Sequence, residues 1–387
     1  MMALQPLSRA FAAAARLSFA MVALAVAAIL AGAQEVPLDS ALVPAVRDST
    51  AAVRVCAGGD VTLGTNLDTA WVRRQGPAIP SPATLLAPLR PLLDDADLVL
   101  LNIEGAIGEG PVSRQKCRPG STQCYAFRQP AATAAALAGV APHARVIGNV
   151  ANNHARDAGW DGLLETKRLM EDAGVAVTGF DTVATTIATP AGDTVAFLGY
   201  STSGGPDPRD LAAVRRHVAR AAERWPRVVV TMHMGGEGVG AQRTPNETEM
   251  FIGINRGNMV AFARAAAESG AGLIVGHGPH VMRGAEWWGE SLIAYSLGNL
   301  VTFGPFSMGE PLNRGGLLCA DLDAGGRVTD ATLRSTRQIR AGIVEPDETA
   351  RAAVLADSLG ALDFPETRAR FRTESRILRP APASDPR

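Results

Sequence analysis

Two carboxylates, one amide and three imidazoles follow apolar runs at widely separated points of the chain, and together they have the composition of a metal-ligand set. They are Asp60, Glu104, Asn153, His233, His277 and His280. Nitrogen and oxygen ligands without thiolate suit Mn, Fe or Zn. Because six ligands exceed the number that one tetrahedral site takes, they predict two adjacent divalent metal ions. Such a pair activates a water and stabilises both oxygens of a displacement at phosphorus, so the predicted chemistry is metal-dependent hydrolysis.

A hydrolytic site of this kind also needs a proton donor for the departing oxygen. His154 directly follows Asn153 and is not required as a ligand, so we assign it as the general acid. Asp157, in the same stretch, either orients the imidazole of His154 or caps the helix that follows. His154 and Asp157 are therefore the predicted catalytic pair.

Three more residues are weaker candidates for the surroundings of the site. Glu237 either hydrogen-bonds a ligand histidine or is a solvated loop carboxylate. Arg283 either meets a substrate anion or forms a surface salt bridge. Asn299 follows a glycine turn and is expected to line the site as a substrate-binding residue.

The elements that position these side chains are apolar strands alternating with amphipathic helices. Strands that end at the polar clusters are predicted over 53–57, 97–103, 145–147, 227–231 and 273–275, and others over 175–178, 194–198, 292–295 and 315–321. Helices are predicted over 131–139, 159–173, 210–224, 258–268 and 349–362. This alternation indicates an α/β fold, in which ligand sites gather at the carboxyl ends of strands. The polar clusters are therefore expected to meet in one pocket.

Composition limits the class of protein. The chain has 387 residues, of which 47% are hydrophobic, so it can bury a large core in one large domain or two modest ones. Its 37 basic and 38 acidic residues nearly cancel, which argues against a nucleic-acid-binding protein. The balance of hydrophobic and charged residues also argues against a mainly disordered chain.

The N-terminal segment is predicted to direct export. Arg9 and Arg16 precede an uncharged apolar run over 17–33 that ends in small residues. This pattern is typical of a secretory signal peptide, predicted at 1–33, and an uncleaved membrane anchor is the alternative. The rest of the chain is divided into a linker at 34–52, the catalytic domain at 53–340, and a C-terminal helix with a Pro-rich tail at 341–387. The body of the protein is expected in the periplasm or outside the cell, associated with the envelope.

Export changes how the four cysteines are interpreted. Cys117 and Cys124 lie in a polar loop and are predicted to form a local disulfide in an oxidising compartment. Cys56 and Cys319 lie in apolar, strand-like runs and are predicted to be buried thiols. A zinc site built on cysteine is not expected from this spacing.

Six short motifs occur in a fixed order along the chain. They are Gly59-Asp60, Asn102-x-Glu104, Asn152-Asn153-His154-Ala-x-Asp157-x-Gly159, His233-x-Gly235-x-Glu237, Gly276-His277-x-Pro279-His280 and Tyr295-Ser-Leu-Gly-Asn299. This ordered set, within residues 53–305, resembles the bacterial capsule-synthesis CapA family, which is associated with poly-γ-glutamate capsule and has a calcineurin-like metallophosphoesterase fold. The resemblance implies a four-layer α/β/β/α sandwich with divalent metal ions where its two sheets meet. It also implies the six ligands given above and His154 as the general acid.

Three positions depart from the pattern that these motifs otherwise follow. Thr62 stands where the wider phosphoesterase superfamily has a histidine, and Glu104 stands where it has an aspartate. Gly278 replaces the middle histidine of a Gly-His-His-Pro-His sequence that is frequent in the CapA family. The metal preference is therefore left open, and His277 and His280 are expected to be the ligands of this last motif.

Three functions are compatible with these residues. The first is phosphoester hydrolysis, the second is non-catalytic binding of polyglutamate or another envelope polymer, and the third is hydrolysis or transfer at the γ-glutamyl amide. The expected partners are an anionic small molecule or polymer and the capsule machinery, without nucleic acid. Contact with the membrane is expected only through an uncleaved N-terminal segment.

Overall fold

The computed structural model describes residues 52–64, 74, 79–110, 125–189, 191–371 and 376–379. The expected signal peptide over 1–33 and the expected disulfide between Cys117 and Cys124 lie outside these residues. Within the described ranges, no helix is both long enough and apolar enough to cross a bilayer.

Strands and helices alternate through most of the described chain. The strands are β1 (Val53–Thr62), β2 (Leu98–Ile103), β3 (Ala106–Ile107), β4 (Arg128–Gln129), β5 (Arg145–Asn149), β6 (Ala176–Thr178), β7 (Thr185–Ala188), β8 (Thr194–Ser201), β9 (Arg227–His233), β10 (Met250–Phe251), β11 (Ile254–Asn255), β12 (Leu273–His277), β13 (Ala285–Trp288), β14 (Ser291–Ala294), β15 (Asn299–Thr302), β16 (Arg314–Leu322), β17 (Val328–Arg340), β18 (Ile343–Pro346), β19 (Arg370–Phe371) and β20 (Ile377–Leu378). The α-helices are α1 (Pro82–Leu86), α2 (Ala132–Ala138), α3 (Gly159–Asp172), α4 (Leu211–Ala222), α5 (Met259–Glu268) and α6 (Arg351–Asp363), and two 3₁₀ helices cover Ala87–Leu92 and Val239–Ala241.

Two large sheets are built mainly from parallel strands. In the first, the strand order is β18-β17-β16-β1-β2-β5-β6, and β15 also pairs with β1. In the second, the order is β13-β14-β12-β9-β8-β7. β1, β2, β5 and β6 run parallel to one another, as do β8, β9, β12 and β14. Each sheet therefore presents the carboxyl ends of four neighbouring strands on one edge.

Three hydrophobic clusters define the layers. Leu100 of the first sheet and Phe197 of the second lie in a cluster between the two sheets. Leu101 points to the opposite face, as strand alternation requires, and packs in a cluster with α1, α2 and α3. On the far side, Val230 of β9 packs with Phe262 of α5 and with α4. This is a four-layer α/β/β/α sandwich, as the resemblance implies.

Capping residues place the helices of the outer layers close to where the sequence predicts them. Asp210 accepts a hydrogen bond from the N–H of Ala213 at the start of α4, and Asn258 does the same for Ala261 at the start of α5. These side chains satisfy amides that have no partner within the helix. The helices predicted over 210–224 and 258–268 are thus α4 and α5.

The chain beyond residue 340, the end expected for the catalytic domain, continues the sandwich. β18 pairs with β17 at the edge of the first sheet. α6 packs against β16 and β17, and its residues Ala352, Ala353 and Ala356 lie in the cluster between the sheets. The C-terminal helix therefore contributes to the core.

Cys56 and Cys319 form a disulfide, and the prediction that they are free thiols is wrong. The two residues face each other directly in the antiparallel pair of β1 and β16, although 263 positions separate them in sequence. Both are buried, as predicted. Because their pairing depends on the register of two distant strands, local sequence context does not reveal it.

Candidate metal centre

Strand ends and the loops that follow them bring five of the six predicted ligands, Asp60, Glu104, His233, His277 and His280, to one place. In the first sheet, Asp60 on β1 stands beside Asn102 on β2, and Asn102 stands beside Asn149 on β5. In the second sheet, His233 at the end of β9 is in register with His277 at the end of β12. Parallel pairing in register therefore aligns the last polar residue of each strand with that of its neighbour.

Distances between the side chains define a tight cluster. One ligand atom from each of Asp60, Glu104 and His280 lies within 4.8 Å of the others. His280 Nδ1 lies 3.0 Å from Asp60 Oδ2, and His280 Nε2 lies 3.7 Å from Glu104 Oε1. His233 Nε2 lies 3.8 Å from Glu104 Oε1, and His277 Nδ1 lies 3.8 Å from Asp60 Oδ1. Asp60, Glu104 and His280 therefore surround a common point, and His233 and His277 each lie beside one of these carboxylates.

Buried polar atoms in this cluster have no hydrogen-bond partner among the described residues. They are Glu104 Oε1, His233 Nε2 and both ring nitrogens of His277. Each buried donor or acceptor left without a partner costs about 1–3 kcal/mol, so a cluster of such atoms indicates a site where a ligand binds. Carboxylate oxygens and neutral imidazoles are ligands that Zn, Mn and Fe accept. The residues present therefore fit a divalent metal ion.

The backbone at His280 is in an unusual conformation. Its φ of 60° is in the left-handed region, which few residues other than glycine adopt. Gly278, with φ of 104°, starts the turn that presents it. Strain of this kind persists where the surroundings enforce it and is concentrated at functional sites.

Burial and charge shift the pKa values of the clustered groups in different directions. Burial raises the pKa of Glu104 to about 8, with the charge of His280 opposing the shift. Burial disfavours the cation of His280, but the charge of Glu104 and the hydrogen bond with Asp60 outweigh it and raise the pKa of His280 to about 10. For Asp60, burial is likewise outweighed by the hydrogen bond and charge of His280, so its pKa falls well below the ordinary value.

The other two imidazoles are held neutral. Burial lowers the pKa of His277 to about 4, against the opposing charge of Asp60. Burial also lowers the pKa of His233 well below its ordinary value. A neutral imidazole has a lone pair on one ring nitrogen, which is the form that binds a metal ion.

Asn102 is a part of the site that sequence reasoning does not single out as a functional residue. Its Nδ2 donates to Asp60 Oδ1 at 2.7 Å and lies 3.2 Å from His233 Nδ1. Its Oδ1 accepts from Asn149 Nδ2 at 2.9 Å and from Asn152 Nδ2 at 3.3 Å. Partners on both ends fix the orientation of the amide, so Asn102 positions two predicted ligands at once. Its place two residues before Glu104 is the only sequence signal for this role.

Asn153 lies between two anchored neighbours. Asn152 Nδ2 donates to the carbonyl of Ile103 at 2.9 Å, and Asn152 Oδ1 accepts from the N–H of His154 at 3.0 Å. The side-chain oxygen of Asn153 is buried. The loop that carries this predicted ligand is thus tied directly to β2.

His154 is held in one orientation beside the cluster. Its Nδ1 lies 2.7 Å from Asp157 Oδ2, which also accepts from the N–H of Phe127 at 2.5 Å. The ring of Phe127 stacks on that of His154, with centroids 4.0 Å apart. Nε2 of His154 lies 3.9 Å from Glu104 Oε1. The imidazole therefore directs its second nitrogen toward the predicted metal ligands, and Asp157 orients it.

The weaker candidates have different surroundings. Glu237 Oε1 is paired with Arg256 Nη2 at 2.9 Å, and its Oε2 lies 3.8 Å from His280 Nε2. Asn299 Oδ1 lies 3.2 Å from His280 Nδ1, and its Nδ2 donates to the carbonyl of Leu312. Both residues line the pocket described below.

Arg283 does not face the site. Its guanidinium donates to both oxygens of Glu249, at 2.8 and 2.7 Å, and to the carbonyl of Ala241 at 2.7 Å. The side chain is fully buried. The expectation that Arg283 meets a substrate anion or lies in a surface salt bridge is therefore wrong, because its guanidinium forms a buried ion pair with Glu249, which is 34 positions away in sequence.

Two of the departures from the family pattern have a structural explanation. The hydroxyl of Thr62 donates to the carbonyl of Glu104 at 3.1 Å, so it links β1 to the residue that carries the carboxylate. A Cβ on Gly278 would lie 3.0 Å from Arg256 Nη2 and 3.1 Å from the carbonyl of Met234. The space for a side chain at position 278 is therefore occupied by Arg256.

A pocket of about 330 Å³ opens beside the cluster. The polar part of its lining consists of Thr62, Glu104, His154, Glu237, His280, Asn299, Thr302 and Ser307. The rest of its lining is largely aromatic and apolar: Tyr125, Phe127, Phe251, Pro305, Phe306 and Leu312. A ligand that reaches the predicted metal centre through this pocket contacts both kinds of surface.

Comparison with known proteins gives a family and a curated relative. A family model described as "Bacterial capsule synthesis protein PGA_cap" matches residues 54–303. The PGA biosynthesis protein CapA of Bacillus subtilis (strain 168) is 29% identical over 170 residues. That match covers 40% of this chain and 41% of the relative, so it spans less than half the length of either protein.

Solved structures give more distant similarities. The 5'-nucleotidase precursor from Thermus thermophilus has a TM-score of 0.37 and 16% identity, covering 79% of this chain and 58% of that one. TT1561 of the same organism has a TM-score of 0.37 and 13% identity, covering 74% and 99%. GAP50, the anchor in the inner membrane complex of Plasmodium, has a TM-score of 0.39 and 10% identity, covering 76% and 88%.

Proposed function

Because the chain belongs to the bacterial capsule synthesis protein family PGA_cap, we propose that it acts in the synthesis of a capsule or envelope polymer as a metal-dependent phosphoester hydrolase. The observation that carries this proposal is the convergence of Asp60, Glu104 and His280, whose ligand atoms lie within 4.8 Å of one another. Glu104 and His280 line a pocket large enough for a small ligand or for one end of a larger one.

The donor set supports a centre of two divalent ions, drawn from Mn, Fe and Zn. The proposed ligands are Asp60, Glu104, Asn153, His233, His277 and His280. Buried atoms of Glu104, His233 and His277 without a hydrogen-bond partner among the described residues support this assignment. When bound, such ions lower the pKa of a water and polarise a phosphoryl oxygen.

The chain itself supplies the proton. We assign His154 as the general acid that donates from Nε2 to the leaving oxygen, because this nitrogen faces Glu104 at 3.9 Å and the ring lines the pocket. Asp157 holds Nδ1 and stabilises the imidazolium that precedes proton transfer. Stacking by Phe127 restricts rotation of the ring.

Binding of polyglutamate in this pocket has less support. A polymer with a carboxylate on every residue is recognised by Arg and Lys side chains. None of the described residues that line the pocket is Arg or Lys, while Glu104 and Glu237 are acidic. Cleavage of the γ-glutamyl amide is therefore kept as an alternative outcome of the turnover experiment below.

Export to the envelope is part of the proposal. The Cys56–Cys319 disulfide supports it, since such bonds persist in oxidising compartments. The membership in a capsule synthesis family agrees with this location.

The test measures metal content and turnover together. We expect the purified chain, reconstituted with Mn, Fe or Zn, to hydrolyse bis(p-nitrophenyl) phosphate, and Asp60→Asn to lose both the metal and the activity. Glu290→Gln is the matched control, because the Glu290 side chain is 65% exposed. Absence of bound metal overturns the proposal. Shortening of poly-γ-glutamate without phosphoester turnover assigns the amide bond instead.

A further inference from the structure

The pocket beside the predicted metal centre has an aromatic wall. The rings of Phe127 and Phe306 meet edge to face with centroids 5.4 Å apart, and Tyr125 lies 6.3 Å from Phe127. Phe251 lines the pocket as well. Of the 11 Phe and 3 Tyr in the whole chain, these four surround one cavity. Such a wall suits an apolar group and offers little to a second anion.

The hairpin of β10 and β11, which carries the pocket residue Phe251, has further exposed apolar side chains. Phe251 lies on this hairpin, and its neighbours Met250, Ile252 and Ile254 are 58%, 67% and 49% exposed. Val239, which follows the pocket residue Gly238, is 58% exposed. Phe251 and the exposed Ile254 are directly paired across the hairpin, so exposed apolar surface adjoins a pocket residue, and such surface marks a binding site.

The turn of this hairpin is strained at an apolar residue. Ile252 and Gly253 form the two-residue turn, with φ of 49° and 74°. Turns of this type favour Asn or Gly at the first position, and a β-branched residue there is a true outlier. This strained conformation presents a side chain that is 67% exposed.

The base of the hairpin is firmly held. Glu249 exchanges backbone hydrogen bonds with Arg256 and Gly257, and its carboxylate binds the buried Arg283. These contacts anchor the base of the hairpin that carries Phe251 and Ile252.

We propose that the pocket and this hairpin bind an amphiphilic phosphoester. Its phosphoryl group lies at the metal-ligand cluster, and its apolar chain extends over Phe306 and Phe251 to the exposed side chain of Ile252. The position of the phosphoryl group rests on the proposed function, whereas the apolar path rests on the pocket and hairpin alone.

Binding of alkylphosphonates, which are not hydrolysed, tests the apolar path without turnover. We expect the metal-reconstituted chain to bind octylphosphonate at least about tenfold more tightly than methylphosphonate by isothermal titration. The reason is that the added methylene groups are transferred out of water when they pack against the aromatic wall. Equal affinities overturn the inference. Binding to phosphatidylcholine vesicles without any chain-length preference among the soluble phosphonates also overturns it, because the hairpin then serves a membrane surface.

Two variants locate the effect. Ile252→Asn is expected to reduce the preference for the longer chain at least about threefold while the unfolding temperature stays the same or rises, because Asn tolerates positive φ. Val183→Asn is the control, since Val183 is 73% exposed and lies on the turn before β7. An unchanged preference in Ile252→Asn overturns the assignment of the hairpin. Failure of ester hydrolysis with the chain-length preference retained refutes the proposed reaction and supports the amphiphilic ligand.

Discussion

Asp157 and His154 are joined by a contact of 2.7 Å between Oδ2 and Nδ1, and Asp157 is fully buried. The same oxygen accepts a hydrogen bond from the N–H of Phe127, and this bond fixes the carboxylate that orients the imidazole. This arrangement leaves Nε2 of His154 as the ring nitrogen that faces the predicted centre.

His154→Ala is expected to lower kcat for a phosphodiester by about 10²–10⁴-fold, the usual contribution of a positioned general acid. Metal content is expected to remain unchanged, since His154 is not among the proposed ligands. Steady-state kinetics and elemental analysis of the same preparation check both. His217→Ala, on α4 in the outer layer, is the control. A loss smaller than about threefold would remove His154 from the mechanism.

Asn102→Ala is expected to weaken metal affinity by about 10–100-fold, because Asn102 contacts Asp60 and lies beside His233 without being a proposed ligand. Competition with a chelator measures the affinity. Asn246→Ala is a matched control, since the partner of Asn246 is Asn258 on the surface. Affinity equal to that of the unmodified chain would show that the amide network does not position the ligands.

Metal affinity is expected to rise with pH by at least about tenfold between pH 6 and 8, since ions compete with protons for Glu104 and His280. Their pKa values are raised to about 8 and about 10, so both hold protons near neutrality in the metal-free protein. Titration of metal in buffers across this range measures the affinity. An affinity independent of pH contradicts the prediction.

The raised pKa values of Glu104 and His280 also determine how the stability of the metal-free protein changes with pH. A raised pKa in the folded state stabilises the protein below the ordinary pKa, and this stabilisation is lost as pH rises through the folded value. For Glu104 that window runs from 4.5 to about 8, and for His280 from 6.5 to about 10. Below about pH 6.5 the lowered pKa values of His233 and His277 oppose this loss, so we expect the metal-free protein to lose stability from about pH 7 to 8.5, and Glu104→Gln to lose less. An equal loss in both proteins would contradict this.

Cys56→Ala combined with Cys319→Ala is expected to lower the free energy of unfolding by about 2–5 kcal/mol, the usual effect of removing a native disulfide. Guanidinium denaturation under non-reducing conditions measures it. Peptide mapping of the unmodified chain is expected to find the Cys56–Cys319 link and also the predicted Cys117–Cys124 link. A free thiol at Cys56 would contradict the Cys56–Cys319 disulfide.

Local sequence predicts many strands of the two large sheets and the polar clusters at their ends, because each apolar run stops where polar residues begin. β2 and β12 are found in this way, and Glu104 and His277 mark their ends. β17 is missed, since its alternation of Thr, Arg and Asp with half-buried residues contains no apolar run. The short strands β10 and β11 are missed because two residues carry no periodicity.

Roles that depend on distant partners are beyond local patterns. Arg283 has the chemistry of an anion-binding residue, but Glu249, 34 positions away, determines where its guanidinium points. Asn102 resembles any strand-end amide until β5 and β9 supply its neighbours. In both cases the deciding fact is long-range pairing, which residue spacing does not encode.

The placement of Asp60, His233 and His277 on paired strands has a consequence for how an ion would be captured. The conformational entropy of these side chains is lost when the sheets form, so the metal site is preorganised before the ion binds. Uptake should then be a local event: amide hydrogen exchange in β1 and β12 would differ little between the loaded and the stripped protein. Widespread added protection would instead mean that the ion completes folding.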